Sequence, residues 1–516
     1  MTNVNNSEAM GIIFNAALLT DGYKLGHKTM YPDGMTKLYS NFTPRTNKHF
    51  QDANLGAVVF GVQYFVKKYL VDAFNKDFFS RPKEVVISEY RDLLEGFLGK
   101  PVADKIGVKH IEELHDLGYL PIKVKALREG VYCPYGVPML TITNTHQDFA
   151  WLTNYLETLL SNALWKQMNS ATTADVFKRE LVRHAKTTGF YNPDNTANID
   201  FLCHDFSMRG MSGVEDAAAS GMGHMTSFCG TESVPALIAA KYYYGAPFTS
   251  AGTIPATEHS IECANAVDMD GVADDEVYFV EMLKRFPEGF ISIVADGFDY
   301  WKFIGKIVPK YKEQIMARNG RVVIRPDSGD PVKIICGDPE SDDPIVRMGS
   351  YEFLCKTFGG HINNSGSMAL DSHIGLIYGD AINMKRQREI YAQLEAKGIA
   401  ATNLVLGIGS FTYQCATRDN LGLAMKATYC EINGVGKEIY KDPKTTVTGG
   451  MMKKSLRGLI KVDYDENGVL KAFDRVTPEE ENEGQLRVVF EDGKMYNQTT
   501  LDEIRKVRNE EIAKNL

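Results

Sequence analysis

The sequence predicts an α/β protein in which an irregular (β/α) barrel of about seven strands is inserted into an α+β domain built from both termini. Three observations lead to this prediction. Between residues 196 and 409, short apolar runs alternate with helical patterns, and each run ends in polar residues or glycine. The regions before and after instead mix amphipathic helices with alternating, half-buried strands. The length of 516 residues is too great for one ordinary domain.

The middle region is predicted to be the barrel because seven strand-like runs recur there. Helical patterns lie between them at 234–244, 274–285, 300–317 and 384–397. A strand–helix–strand rhythm of this kind forms a parallel sheet, whose strands all end at the same edge. The seven runs end in polar residues or glycine at 201–206, 226–232, 253–259, 291–296, 322–327, 375–380 and 403–409.

The two terminal regions are predicted to form one α+β domain together. The predicted domains are therefore 1–195 with 410–516, and a barrel domain at 196–409 that carries the active site. A separate third domain for the C-terminal region is the alternative. The predicted helices of the terminal regions are 56–74, 83–97, 151–184 and 501–514, and the predicted strands are 121–126, 138–143, 423–431 and 485–490.

Composition and charge restrict the classes of function. The chain is 44% hydrophobic and 24% charged, and its net charge of −9 argues against a broad nucleic-acid surface. Residues 1–10 lack a signal-peptide pattern, and no apolar run reaches the roughly 18 residues of a membrane span. The eight cysteines form no CxxC pair, so we expect free thiols. We therefore expect a cytoplasmic protein without nucleic-acid or membrane partners.

The predicted strand ends place a mixed set of polar groups at one edge of the barrel, where ligands of such folds bind. Glycine lets the backbone approach phosphate oxygens, carboxylates suit Mg²⁺, and arginine suits phosphate. The run at 322–329 is the most informative, because it ends in a cation, a carboxylate, a hydroxyl and a glycine. The residues pooled from all ends are His204, Asp205, Arg209, Glu232, His259, Asp296, Arg325, Asp327, Asp380, Gly230, Gly379 and Gly409.

A basic series follows the barrel, and its spacing over short strands fits cations that converge on a phosphate. A solvated surface is the alternative for any single lysine. The strand ends and this series predict a barrel enzyme that acts on a phosphorylated sugar or nucleotide with Mg²⁺. Group transfer from a diphosphate is favoured over Schiff-base aldol chemistry, because none of the seven ends carries the lysine that an aldolase requires. The series is Arg418, Lys426, Lys441, Lys444, Lys453, Lys454 and Arg457.

At these residues the chain resembles the nicotinamide phosphoribosyltransferase family, and more closely its bacterial and phage-type members. The resemblance extends nearly from end to end, from Thr20 to Lys506. The motifs that carry it are His204-Asp205-Phe206 with Arg209-Gly210, Pro255-Ala256-Thr257-Glu258-His259-Ser260, Ile324 to Gly329, Gly379-Asp380, Thr417-Arg418-Asp419 and Lys441-Asp442-Pro443.

The resemblance implies a type II phosphoribosyltransferase fold and a homodimer whose two active sites lie at the subunit interface. The implied reaction is that of a glycosyltransferase of the pentosyltransferase class. It joins nicotinamide to 5-phosphoribosyl 1-pyrophosphate (PRPP), giving nicotinamide mononucleotide and pyrophosphate in NAD salvage. Mg²⁺ is the implied cofactor, and ATP is an implied optional coupling substrate that phosphorylates His259.

The resemblance also assigns the base and metal sites. Nicotinamide is expected to stack between Phe206 and the partner subunit's Tyr23. Its amide oxygen is expected to meet Arg325, and its amide nitrogen Glu232. Mg²⁺ is expected near Asp296 and Asp327.

The remaining implied roles concern catalysis and the phosphate groups. The expected catalytic residues are His259, Asp327, Arg325 and Asp296, which stabilise the charge of the leaving pyrophosphate. The expected ligands of PRPP and its phosphates are Arg209, His259, Arg325, Asp327, Gly379, Asp380, Gly409, Ser410, Arg418, Lys426 and Lys441.

Three positions depart from the family pattern. Glu232 stands where the family commonly has Asp, Gly409-Ser410 replaces a Gly-Gly pair, and Ala424 replaces a phosphate-binding Ser. A donor other than unmodified PRPP is therefore an open alternative. So is nicotinate phosphoribosyltransferase, although an acid at 232 would repel a substrate carboxylate. A catalytically silent binding protein is a further alternative, which the intact motif residues argue against.

Overall fold

The computed structural model describes residues 15–192, 196, 199–441 and 455–516. The chain divides into two compact units. The first, here called the terminal unit, comprises 1–169 and 417–500, and the second, here called the barrel unit, comprises 170–416 and 501–516. All eight cysteines are free thiols. In the part of the chain that the structure describes, every helix is too short or too polar to cross a lipid bilayer.

The barrel unit is built around a parallel sheet of six strands. Neighbouring strands pair in parallel register throughout, and the strand interiors are buried apolar side chains such as Ile293, Ile324 and Leu406. Burial on both faces explains why these strands read as continuous apolar runs in the sequence. In sheet order the strands are Gly230–Thr231, Cys203–Asp205, Leu404–Ile408, Ile374–Tyr378, Gly320–Arg325 and Gly289–Val294.

The seventh predicted strand, at 253–259, is an extended segment that closes the sheet without forming a regular strand. Isolated bridges link Gly252 to Gly230 on one side and Ala256 to Ser292 on the other. Within this segment Pro255 has no N–H to give to a ladder, but its carbonyl accepts from the Ser292 N–H at 2.8 Å. Six strands and one irregular segment therefore enclose the barrel, and the predicted fold class is confirmed.

Helices alternate with these strands as predicted. The expected helix at 300–317 is instead a chain of short helical segments that includes Pro309, which cannot donate a backbone hydrogen bond. Beside the barrel lies a small sheet of Gly360–Ile362, Met368–Leu370 and Ile399–Ala400. The longer helices of the barrel unit are Val214–Met225, Val234–Tyr244, His259–Ala266, Asp275–Arg285, Pro331–Cys336, Ser350–Phe358, Met384–Ala396 and Leu501–Asn515.

The terminal unit contains a seven-stranded antiparallel sheet. Its third strand, Met35–Thr43, is absent from the sequence prediction, because polar residues interrupt its apolar pattern. Two of these, Ser40 and Asn41, are buried and reach partners distant in sequence, Asn154 and Lys426. The strands in sheet order are Val435–Glu438, Ala424–Ile432, Met35–Thr43, Leu140–Asn144, Ile122–Ala126, Arg487–Glu491 and Lys494–Met495, and a separate hairpin is formed by Leu459–Tyr464 and Leu470–Val476.

The helices of the terminal unit pack on this sheet. The helix expected at 56–74 begins only at Val62, because Gly61 before it has a φ of 93°, a conformation in which side-chain-bearing residues are strained. The main helical segments are Gly22–Thr29, Val62–Phe65, Val66–Ala73, Asn75–Phe79, Lys83–Leu98, Lys100–Ile106, Lys109–Leu117, Leu152–Tyr155 and the first part of Glu157–Thr187.

The domain boundaries expected at 195/196 and 409/410 stay a prediction. The two compact units differ from them mainly at two helices, the second part of Glu157–Thr187 and Leu501–Asn515. Apolar side chains on both, Phe177, Leu181 and Ile512, are buried in the barrel unit's hydrophobic core. Amphipathic periodicity predicts such an apolar face, but it does not indicate which core the face will join.

Candidate active site

A cavity of about 1740 Å³ opens at the carboxyl ends of the barrel strands, and all of its lining residues belong to the barrel unit. Parallel strands bring their carboxyl ends to one edge, so residues far apart in sequence meet here. The cavity continues between the strands, where Phe290 and Arg321 line it near the strands' amino ends. The predicted site residues that line it are Phe206, Arg209, Glu232, Arg325, Asp327, Gly379, Asp380, Gly409 and Ser410.

The Phe206 ring packs against two strand-end glycines. A Cβ atom on Gly379 would lie 2.8 Å from Cε2 of Phe206, and one on Gly407 would lie 2.4 Å from Cδ2. Both contacts are too close for any other residue, so glycine at these positions makes room for the ring. An aromatic face is thereby fixed in the cavity, where it can stack against a planar ligand.

Glu232 extends from the end of strand Gly230–Thr231 into the same cavity. Its backbone N–H donates to the Asp205 carbonyl at 3.0 Å, and its carboxylate accepts a hydrogen bond from the Thr253 hydroxyl. Partial burial raises the pKa of the Glu232 carboxyl, while the Thr253 hydrogen bond and the charge of Arg325 oppose that rise. The carboxylate is thus a hydrogen-bond acceptor whose charge depends on its two neighbours.

Four predicted catalytic residues form a connected chain of polar contacts. His259 Nε2 lies 3.1 Å from Asp296 Oδ1. The other Asp296 oxygen accepts from the Asp327 N–H at 3.1 Å and from the Ser328 hydroxyl at 2.5 Å. Arg325 Nη2 lies 3.5 Å from Asp327 Oδ2. The structure therefore brings together a histidine, two carboxylates and a guanidinium from three consecutive barrel segments.

Two glycine-containing loops form a further wall of the cavity. Gly379 and Asp380 follow strand Ile374–Tyr378, and Gly409 and Ser410 follow strand Leu404–Ile408. The Ser410 hydroxyl packs closely on the turn that carries Arg209. A Cβ atom on Gly210 of that turn would lie only 2.1 Å from Ser410 Oγ.

The motif residues His204 and Asp205 are both buried, and His204 also lines the cavity. Burial lowers the pKa of His204 to about 4, so the ring is neutral at physiological pH. One Asp205 oxygen accepts from both the N–H and the hydroxyl of Ser207, at 2.9 and 2.6 Å. Since the Asp205 carbonyl also holds the Glu232 N–H, this residue positions the segments that carry Phe206 and Glu232.

The terminal unit contains a separate cluster of cations. Burial lowers the pKa of Lys426, and repulsion from Arg45, Lys441 and Arg418 lowers it further, with only Glu157 opposing. Arg45 follows strand Met35–Thr43 after Pro44, and its Nε donates to the Gly422 carbonyl at 2.9 Å. Such mutual repulsion is relieved when an anion binds.

Sequence reasoning identified three of these cations and missed the fourth. Arg45 lies about 370 residues from Arg418 in the chain, and only strand pairing in the antiparallel sheet brings them together. It also missed Thr253 as the partner of Glu232. Ser328, by contrast, stood within the quoted 322–329 motif. Lys444, Lys453 and Lys454 lie outside the described residues, and Arg457 stacks on the Tyr440 ring at 3.5 Å.

Tyr23 belongs to the helical segment Gly22–Thr29 of the terminal unit. Its side chain is 62% exposed, and its ring contacts His27 edge-on, with 5.0 Å between ring centroids. A ring exposed to this extent is accessible to another molecule.

Comparison with known proteins shows the family to which the chain belongs. The nicotinate phosphoribosyltransferase (NAPRTase) family matches residues 201–494, and the nicotinamide phosphoribosyltransferase N-terminal domain matches residues 15–124. The chain belongs to this family of phosphoribosyltransferases, which are pentosyltransferase enzymes of NAD biosynthesis.

Its relatives specify the branch of the family. The chain is 43% identical over 507 residues to the nicotinamide phosphoribosyltransferase of Acinetobacter baylyi, covering 96% of this chain and 97% of that protein. It is 31% identical over 454 residues to the nicotinamide phosphoribosyltransferase of Mycoplasma pneumoniae, covering 86% of this chain and 94% of that protein. The resemblance noted from the sequence motifs is therefore confirmed.

Two solved structures share the fold. One is nicotinate-nucleotide pyrophosphorylase from Pyrococcus furiosus, with a TM-score of 0.54 and 15% identity over 100% of this chain and 99% of that one. The other is human nicotinic acid phosphoribosyltransferase, with a TM-score of 0.54 and 15% identity over 96% of this chain and 94% of that one. At this level of identity, the likeness concerns the fold alone.

Proposed function

We propose that this chain transfers the 5-phosphoribosyl group of PRPP to nicotinamide, releasing pyrophosphate and nicotinamide mononucleotide, in the cytoplasm. The observation that carries the proposal is the meeting of Phe206, Glu232 and Arg325 in one cavity. The ring of Phe206 stacks on the base, Arg325 donates to the amide oxygen, and Glu232 accepts from the amide nitrogen. A nicotinate carboxylate would instead face the negative charge of Glu232.

The remaining groups of the cavity suit the departure of pyrophosphate. The bond from C1 of the ribose to the pyrophosphate breaks as positive charge builds on the sugar, and cations stabilise the leaving group. Arg209, His259 and Arg325 would supply that charge from fixed positions, which is often the largest contribution to catalysis. Gly379, Asp380, Gly409 and Ser410 would surround the ribose 5-phosphate.

Asp296 and Asp327 fit a magnesium site. Among the described residues no group of three or more His, Cys, Asp or Glu side chains is arranged to enclose a metal ion. Mg²⁺ is commonly held by only one or two carboxylates together with water and substrate phosphates. Bound there, the cation would neutralise pyrophosphate charge.

ATP is proposed as an optional coupling substrate that phosphorylates His259. The side chain of His259 is 47% exposed, and its Nε2 contacts Asp296, which leaves Nδ1 to accept the γ-phosphoryl group as ADP departs. In the test, labelled ATP should give an acid-labile phosphoryl group on the wild-type protein and none on His259→Asn. Equal labelling of both proteins would contradict the assignment.

A homodimer is proposed to complete the site. The partner subunit's Tyr23 would cover the face of nicotinamide opposite Phe206. The cluster of Arg45, Arg418, Lys426 and Lys441 would bind a phosphate group of PRPP, since its mutual repulsion favours an anion.

The test is product analysis with purified protein, Mg²⁺ and PRPP, with nicotinamide and nicotinic acid offered in parallel, with and without ATP. We expect nicotinamide mononucleotide, and nicotinate mononucleotide alone would overturn the proposed base site. Arg325→Ala should lower turnover by at least about 100-fold with the fold intact. Lys284→Ala, a 70% exposed cation on a barrel helix, is the matched control and should leave turnover unchanged.

A further inference from the structure

Arg386 is a cation of the cavity that has no role in the proposed reaction. Arg386 lies in the first turn of helix Met384–Ala396 and lines the cavity together with Asp380 and Ser410. Its Nη1 donates to the Ala381 carbonyl at 2.5 Å. Within the described residues this is the guanidinium's one hydrogen bond to the protein, although the group carries five N–H donors. Most of its hydrogen-bonding capacity therefore faces other acceptors.

The residue that Arg386 holds has an unusual backbone. Ala381 has a φ of 55°, and in the described part of the barrel unit it is the one residue other than glycine with positive φ. Such conformations are disfavoured for residues with a Cβ atom, and they concentrate at functional sites, where surrounding contacts maintain them. The hydrogen bond from Arg386 is a contact of this kind.

Two successive carbonyl groups of this loop are occupied by donors. Arg386 engages the Ala381 oxygen, and the Thr412 hydroxyl donates to the Ile382 oxygen at 2.9 Å. A free carbonyl oxygen would repel an anion in the cavity, and these two are bonded to protein donors instead. Thr412 also ties the 379–383 loop to the helix Ser410–Gln414, so the two glycine-containing loops form one wall.

The negative charge of Asp380 at this wall must be offset by a cation if a phosphate is to bind there. Asp380 is an exposed carboxylate that lines the same space, and by itself it would oppose a phosphate. Arg386 supplies positive charge from the barrel unit itself, on the side of the two loops. A planar guanidinium can donate to phosphate oxygens and to a carbonyl at the same time.

We propose that Arg386 is a further phosphate-binding residue, which donates to the 5-phosphate of the phosphoribosyl substrate while holding the Ala381 loop open for it. The inference rests on the proposed function, because it concerns the same substrate. It adds a ligand that the sequence motifs do not contain.

The experiment measures the Kd of PRPP, ribose 5-phosphate and inorganic pyrophosphate by calorimetry. Arg386→Ala should raise the Kd of PRPP and of ribose 5-phosphate about 10- to 100-fold, the range for a hydrogen bond to a charged group. The Kd of pyrophosphate should stay within about twofold of the wild-type value. Lys385→Ala removes the same charge from an 84% exposed neighbour and should change none of these values. Ribose 5-phosphate binding by Arg386→Ala equal to that of the wild type would overturn the proposal.

A second variant separates phosphate contact from loop support. Glycine at position 381 adopts the positive φ without strain, so Ala381→Gly makes support of the loop by Arg386 unnecessary. If the arginine only maintains the loop, adding Ala381→Gly to Arg386→Ala should restore PRPP binding. We expect the double variant to remain defective, and full restoration would overturn the proposal. Wild-type protein that binds no PRPP would overturn the proposed function as well, whereas normal PRPP binding by Arg386→Ala would overturn this inference alone.

Discussion

At the scale of single residues, neighbours rather than residue type decide what each polar group can do. Glu232 is a carboxylate whose pKa is raised by partial burial and held down by the Thr253 hydroxyl and Arg325. His204, four residues before the turn Met208–Gly210 that carries Arg209, is kept neutral by burial. In the proposed base site the acceptor is therefore a group of three residues, of which sequence motifs identified two.

The raised pKa of Glu232 predicts a pH dependence for the use of nicotinamide. The carboxylate must be ionised to accept from the amide, so kcat/KM for nicotinamide should fall as pH decreases through its pKa. Because the Thr253 hydrogen bond lowers that pKa, Thr253→Val should move the fall to higher pH. Rate measurements over a pH series check this, with Thr187→Val, at the exposed end of helix Glu157–Thr187 and outside the cavity, as the control.

Replacing the Glu232 carboxylate should affect the use of nicotinamide without affecting the binding of PRPP. Glu232→Gln should raise KM for nicotinamide about tenfold, the loss expected for a hydrogen bond to a charged group, and leave the Kd of PRPP unchanged. It should also remove the acid fall described above. Equal losses for both substrates would mean that Glu232 is structural.

Lys426 should show a conflict between stability and binding. Burial and three neighbouring cations lower the pKa of Lys426 in the folded protein. The unfolded chain therefore binds this proton more readily than the folded one does. At neutral pH, where the lysine is protonated, its charge lowers the free energy of unfolding. Lys426→Met should therefore keep or raise the free energy of unfolding, by up to about 1 kcal/mol after solvent screening, and weaken PRPP about tenfold. Denaturant unfolding and calorimetry test the two effects. A clear loss of stability would contradict the repulsion argument.

At the scale of elements, the C-terminal helix supports the part of the barrel that is closed by isolated bridges and not by a regular strand. It does so through the side-chain hydrogen bonds of one arginine. Arg505 of helix Leu501–Asn515 donates to the carbonyls of Met225, Ser250 and Phe228 at 2.7, 2.6 and 3.2 Å. These residues precede the two segments that meet through the Gly230–Gly252 bridge. The helix thus fixes the segments that carry Glu232 and Thr253.

Arg505→Ala should accordingly destabilise the protein and impair the base site. Loss of three hydrogen bonds from a charged donor should lower the free energy of unfolding by about 2–4 kcal/mol. Chemical denaturation measures this, and the exposed neighbour Lys506 provides the control Lys506→Ala. If stability is unchanged, the helix does not close the barrel.

At the scale of the whole molecule, the proposed homodimer makes each active site depend on two chains. The exposed ring of Tyr23 and the Arg325 guanidinium would meet only across the subunit interface. An isologous dimer then forms two equivalent composite sites.

Complementation tests this arrangement directly. Tyr23→Ala and Arg325→Ala should each be inactive as homodimers, but their co-expression should recover about a quarter of wild-type activity, because mixed dimers contain one intact site. Recovery requires that the two residues come from different subunits. Its absence in demonstrated mixed dimers would contradict the shared site, and co-expression of either variant with itself is the control.

Apolar periodicity and strand-end motifs predicted the barrel and most of the residues that line its cavity. Buried parallel strands must be apolar through their length, and their carboxyl ends share one edge, so Phe206, Arg325, Asp327 and Gly379 could be grouped before any coordinates. The same reasoning failed for strand Met35–Thr43 of the antiparallel sheet, because buried polar residues with distant partners disturb its apolar pattern.

Which polar groups contact one another could be seen only in the folded chain. Arg45 joins Arg418 through strand pairing across most of the chain, Thr253 reaches Glu232 through the irregular closure, and Arg386 turns back onto the strained Ala381. Periodicity reports which face of an element is buried, and motifs report local chemistry. Contacts between distant segments depend on packing, and packing sets the charge and orientation of each group in the site.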